Sequence, residues 1–216
     1  RCCAAWLMTL TGSYALVYWL PQLVRSLELG SSELMIGTLS ALPLLGLAIG
    51  LVFNGRRSDR TGERLLHVGV PSAAAGALLI VAAFLPTGWP LLALLSLAGL
   101  GVGAAQGVFW TIPSAVRLGG ETVPVGVIAL ISMFGTAGGI VGPYVTGVLV
   151  GETGGFSLAI TVLASLMILV LPVVGFDPSH RARRQASERS DSASRQTGAR
   201  AAPVMPGDEA RRPSNS

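Results

Sequence analysis

Six stretches of this chain, at about 4–24, 35–53, 65–85, 91–112, 124–149 and 156–175, carry no acidic or basic side chain apart from His67 at a boundary. A bilayer's hydrocarbon core, about 30 Å thick, requires roughly 20 apolar residues of helix to cross it. Runs this long and free of charge are helices in a membrane rather than soluble core. Pro21, Pro43, Pro71 and Pro143 fall inside them. Such prolines break helices in water, but membrane bundles tolerate them because neighbouring groups satisfy the freed carbonyls. The expected fold class is therefore all-α integral membrane, with six transmembrane helices.

Charge placement supports the same conclusion. Of the 216 residues, 12% are charged, against about 25% in soluble domains. Half of those charges lie in residues 177–216, so the remainder cannot present a water-compatible surface. A soluble enzyme and a nucleic-acid partner are both excluded on this ground. Residues 1–176 are read as one six-helix unit. Residues 177–216, rich in Arg, Ser, Ala and Pro, bury too little to fold alone and are expected to be a disordered tail. The basic 180-HRARR-184 segment either meets anionic lipid or simply helps to fix orientation.

Loop charges set the topology. With six spans, Arg1, the four arginines of 54–64, Arg117 and the eight tail arginines share one side, and Arg25 alone stands on the other. The positive-inside rule then places both ends of the chain in the cytoplasm, with the inner membrane of a bacterium as the expected location. All 15 basic residues are Arg, as a G+C-rich coding sequence would give. Cys2 and Cys3 are adjacent, so they build neither a disulfide framework nor a metal site. No cofactor is expected. The chain begins at Arg1 and its first apolar run lacks a small-residue cleavage site, so it is read as the back part of a longer protein and not as a signal peptide.

Glycines recur four residues apart: Gly46 and Gly50; Gly99, Gly103 and Gly107; Gly135 and Gly139; Gly138 and Gly142. Such faces let helix backbones approach closely. Polar residues also fall in stripes. Thr11, Tyr14, Tyr18 and Gln22 share one face of the first span, Gln106 and Trp110 one face of the fourth, and Ser132 and Thr136 one face of the fifth. Polar groups facing lipid are costly, so these stripes face either protein or a watery substrate path. No Asp or Glu lies within a span and His67 has no evident Ser partner, which leaves an intramembrane enzyme without its chemistry.

The segment 54-NGRRSDRTGER-64 has the pattern Gly55-x-x-x-Asp59-Arg60-x-Gly62-x-Arg64 between two spans. It resembles the loop motif of major facilitator superfamily transporters, in the copy after the eighth of twelve helices. Trp19-Leu20-Pro21-Gln22, Ala41-Leu42-Pro43, Ser58-Asp59-Arg60 with His67, Phe109-Trp110-x-x-Pro113 and Gly138-Gly139-x-x-Gly142-Pro143-Tyr144 resemble the anion:cation symporter branch, over about residues 4–175. Where Ser132 and Thr136 stand, that branch usually has Asn.

The resemblance implies the C-terminal half of a twelve-helix fold, built as two inverted three-helix repeats and packed on an absent N-terminal six-helix half. It implies alternating-access transport of a small organic anion with protons. It makes Asp59, with Gly55, Arg60, Gly62 and Arg64, a conformational latch. A transporter of the same fold with another substrate or direction, such as drug efflux, and a truncated fragment that transports nothing, stay open.

Overall fold

The computed structural model describes residues 2–29, 32–115, 117, 118, 121, 122 and 124–175, so the expected tail lies outside the described residues. Six helices are long and apolar enough to cross a membrane. They are α1 (Cys2–Arg25), α2 (Glu33–Thr61), α3 (Arg64–Phe84), α4 (Trp89–Phe109), α6 (Val125–Thr153) and α7 (Ser157–Gly175). A short α5 (Thr111–Ala115) and a two-residue antiparallel ladder, β1 (Arg117–Leu118) with β2 (Glu121–Thr122), connect α4 to α6. The expected prolines stay inside their helices, and Pro172 joins them in α7.

Which helices touch, and in which direction, can be read from where the glycines meet their neighbours. Gly99, Gly103 and Gly107 of α4 abut Pro43, Leu47 and Leu51 of α2, so these two helices run parallel. Gly135, Gly142 and Gly147 of α6 abut Trp6, Thr11 and Trp19 of α1, a second parallel pair. Gly69 and Gly76 of α3 abut Leu171 and Ala164 of α7, an antiparallel pair. Helix α3 also packs on α4, and α7 on α1. Exchanging α1, α2, α3 for α4, α6, α7 leaves this set of pairs unchanged, which is the relation two inverted three-helix repeats require. The front layer is α6–α1–α4–α2, and α7 and α3 form the back.

In this up-and-down arrangement the start of α1, the α2–α3 turn, the end of α4, the start of α6 and the end of α7 share one end of the bundle, the basic end. One apolar cluster fills each end. Leu20, Leu23, Ile36, Leu39, Leu92 and Leu95 pack together at the far end. Trp6, Val68, Phe109, Ile131 and Val170 pack at the basic end. Several buried hydroxyls cost little because they bond carbonyls of their own helix, as Thr9 does to Ala5 at 2.8 Å and Ser40 to Ile36 at 2.7 Å.

One boundary departs from expectation. The segment 54–61 is the end of α2 rather than a loop, and only Gly62 and Glu63 separate it from α3. Its arginines are exposed past the apolar stretch, where a helix can continue with its charges in water. The stop is Gly62, whose φ of 71° is the left-handed cap that glycine adopts freely, with its N–H bonded to the Ser58 carbonyl at 2.9 Å.

Candidate functional site

The polar stripes fall mainly on the front layer. On α1, Tyr14 and Tyr18 stack with ring centroids 5.9 Å apart and are 39% and 63% exposed. The Tyr14 ring lies over Gly139 of α6. Thr136 and Ser132 stand three and seven residues before Gly139, hence on the same flank of α6. Thr136 is exposed, and its hydroxyl donates to the Ser132 carbonyl at 3.0 Å. On the other side of α1, Gln106 of α4 donates from Nε2 to Ser13 Oγ at 2.6 Å. Trp110 stands next to it in an aromatic group, with ring centroids 5.0 Å from Trp6 and 5.6 Å from Phe109.

Two members of the α1 stripe sit apart. Thr11 is buried in the seam with α6, its hydroxyl bonded to the Leu7 carbonyl at 2.7 Å and its side chain against Gly138. It touches helix, not an open path. Gln22 is exposed but lies in the last turn of α1. Eight residues separate it from Tyr14, about 12 Å along the axis at 1.5 Å per residue. A small anion does not reach both. The fold brings Ser13 together with Gln106 and places Tyr14 over Gly139 of α6 with Thr136 one turn away, while Trp110, packed on Trp6, and Ser132 lie toward the basic end, about as far from Tyr14 along the axis as Gln22 does in the other direction.

Ser13 was not anticipated. It lies off the face shared by Tyr14, Tyr18 and Gln22, and only the placement of α4 against α1 gives it a partner. A small nearby cleft between α1, α3, α6 and α7 is lined by Gly12, Trp19, Leu79, Thr146, Phe156 and Leu163 among others. The Thr146 hydroxyl is spent on the Gly142 carbonyl at 2.9 Å, so this cleft offers an anion nothing.

At the basic end, Gly62 is accounted for as the cap of α2. Asp59 and Arg60 are exposed in the last turn of α2, and Asp59 makes no ion pair among the described residues. A carboxylate there faces the negative end of its own helix dipole, which does not favour it. Arg64 ties the turn down in this conformation, donating from Nη1 to the Thr111 carbonyl at 2.7 Å where α4 gives way to α5. Gly55 has open space around it. Sequence reasoning also passed over Asn54, which is buried and donates from Nδ2 to the carbonyls of His67 at 2.7 Å and Ala104 at 2.8 Å. The sequence pattern places it at the start of a loop.

The fold, the repeat symmetry and the turn motif define a membrane bundle of the kind transporters use, and the comparisons agree. The pattern of the Major Facilitator Superfamily matches residues 2–213, and the chain belongs to that family. It is 32% identical over 161 residues to a "Putative tartrate transporter" of Agrobacterium vitis, a match covering 74% of this chain and 35% of that protein. It is 30% identical over 174 residues to a "Quinolone resistance transporter" of Acinetobacter baumannii, covering 80% of this chain and 39% of the other. A "Gentisate transporter" of Corynebacterium glutamicum is 31% identical over 120 residues, 55% of this chain and 26% of that protein. The chain thus spans between about a quarter and two fifths of the length of these relatives. No solved structure matches it.

Proposed function

We propose that this chain is the C-terminal six-helix half of a secondary transporter that moves a small organic anion together with protons by alternating access. It is no enzyme, sits in the inner membrane, and has its basic end and its 177–216 tail in the cytoplasm. The observation that carries this reading is the Gln106–Ser13 pair beside Tyr14 on the front layer. It supports a polar path because it is a set of neutral donors set between two central helices, where binding between halves is the general expectation. No span carries a cation, so this half contributes hydrogen bonds and the N-terminal half contributes the charge and the titratable groups for proton coupling. Similarity to proteins named for tartrate and gentisate supports a carboxylate as substrate.

The test is uptake of labelled tartrate into proteoliposomes by the chain together with its N-terminal half, driven by an inward proton gradient. A hydrogen bond to a charged group contributes about 1.5–3 kcal/mol, roughly a ten- to hundredfold change in affinity. Gln106→Ala is expected to raise KM by that amount, and Gln22→Ala, about 12 Å away, by much less. The reverse order moves the site to the far end of α1. Residues 1–216 alone are expected to insert without accumulating substrate. Accumulation by them alone defeats the half-transporter reading.

A second reading, extrusion of an aromatic drug, is supported by the similarity to the quinolone-resistance protein and by the exposed Tyr14–Tyr18 stack. In the same vesicles it requires fluoroquinolone flux against the direction of proton flow and no response to tartrate.

A further inference from the structure

Pro21, Pro43, Pro71, Pro143 and Pro172 lie inside spanning helices. Each lacks the N–H that would bond the carbonyl four residues earlier, and in a membrane that carbonyl needs another donor. For Pro71 the orphan is the carbonyl of His67, and its substitute donor is Asn54 Nδ2, at 2.7 Å. The same nitrogen donates to the Ala104 carbonyl at 2.8 Å. One amide, 8% exposed, therefore joins α2, α3 and α4 at the basic end. The two acceptors are not equivalent. Ala104 still has the N–H of Val108 within α4, whereas His67 has lost the donor that position 71 would supply. One bond is obligatory and the other is dispensable.

We infer that Asn54 is a positioning residue that keeps α2 fastened to the proline-freed carbonyl of α3 and releases the Ala104 bond when α2 shifts along α4. Two observations support such a shift. The α2–α4 seam is lined by Gly46, Gly50, Gly99, Gly103 and Gly107, each with backbone of the partner helix as its nearest neighbour, so along this stripe the two helices meet backbone to backbone. One turn beyond Asn54, Ser58 is 2% exposed and its Oγ has no hydrogen-bond partner among the described residues. A buried hydroxyl left without a partner is costly, the condition of a group that gains one in a different arrangement of the helices.

The clasp stands on geometry alone, while its release rests on the transport reading, and the test separates them. Asn54→Leu removes the donors while keeping the branched shape of the side chain. Pro71→Ala returns an N–H to the His67 carbonyl. In the full transporter, Asn54→Leu is expected to lower the thermal midpoint on the order of 5 °C, and the double variant to recover most of that loss. Additive losses overturn the clasp. If Asn54→Leu yields no folded protein, recovery of folded protein by Pro71→Ala supports the clasp and failure to recover overturns it. The double variant lacks only the Ala104 bond, so its turnover is expected to change severalfold at unchanged KM. Turnover equal to that of the Pro71→Ala variant defeats the release. Absence of uptake from all four proteins, wild type included, defeats the transport reading, and the melting cycle still decides the clasp.

Discussion

The α2–α4 and α1–α6 seams occupy the same place in the two repeats, yet they are built differently. Both are parallel and both were visible as glycines four apart. Across α2–α4, every seam glycine faces a backbone carbonyl: Ser96 for Gly46, Leu100 for Gly50, Pro43 for Gly99, Leu47 for Gly103 and Leu51 for Gly107. Across α1–α6, Gly142 and Gly138 also meet carbonyls, those of Thr11 and Leu7, but Gly135, Gly139 and Gly147 receive the rings of Trp6, Tyr14 and Trp19, and the Trp19 Nε1–H donates to the Pro143 carbonyl at 3.1 Å. One seam is smooth and the other is keyed. Glycine spacing fixes how near two helices come, while the residues opposite decide whether they can slide. The smooth seam belongs to α2, which carries the turn motif at its end, and the keyed seam carries Tyr14 into the candidate path.

The largest effect should come from filling the smooth seam. A Cβ on Gly50 or Gly103 falls on the carbonyl oxygens of Leu100 and Leu47, which a rigid helix cannot withdraw. Gly50→Ala is expected to cost at least the upper part of the about 1–3 kcal/mol seen for overpacked cores, read as loss of monodisperse protein or of thermal midpoint. Gly139→Ala meets only the Tyr14 ring, 2.9 Å away on a side chain that is 39% exposed and free to turn. Its cost should stay within about 1 kcal/mol, since alanine also gains helix propensity. Equal losses at Gly50 and Gly139 would abolish the distinction between the seams.

Next in size is the key itself. Trp19→Phe keeps an aromatic ring at this position but removes the hydrogen bond to Pro143 and the outer indole atoms Cζ2 and Cη2 that meet Gly147. Interhelical bonds of this kind contribute about 0.6–2 kcal/mol, so a fall of a few degrees in thermal midpoint is expected. No fall would leave ring packing as the whole of the key. Trp19 also shows what the sequence could and could not reveal. Its span was plain, because an uncharged run about 20 residues long has one stable arrangement in lipid. Its partner was not, because these helices are apolar on nearly every side and periodicity does not say which side meets which neighbour. Thr11 shared a face with Tyr14 in sequence but enters the seam, while Ser13 acquired its importance only from Gln106. Asn54 did leave a signal. A proline in a span announces an orphan carbonyl four residues earlier, and a buried amide nearby is the group able to serve it.

The smallest effect is expected at Gly55, and it bears most directly on the smooth seam. On α2, Gly46 and Gly50 face α4, Gly62 caps the helix at φ 71°, and Gly55 between them has nothing within 4 Å of where a Cβ would stand. Replacing a mid-helix glycine by alanine stabilises by about 1 kcal/mol where space permits. Gly55→Ala should therefore raise the thermal midpoint by about 2–4 °C. If α2 slides along α4 as proposed, the open space at Gly55 belongs to this conformation, and another conformation brings a neighbour into it. The variant would then be more stable and yet turn over more slowly, with KM unaltered. Asp59→Asn, exposed and without an ion pair among the described residues, should resemble it in turnover while changing stability by less than about 0.5 kcal/mol. A Gly55→Ala protein that is destabilised like Gly50→Ala would mean that the outer face of α2 is already packed, and that the smooth seam is not where the helix moves.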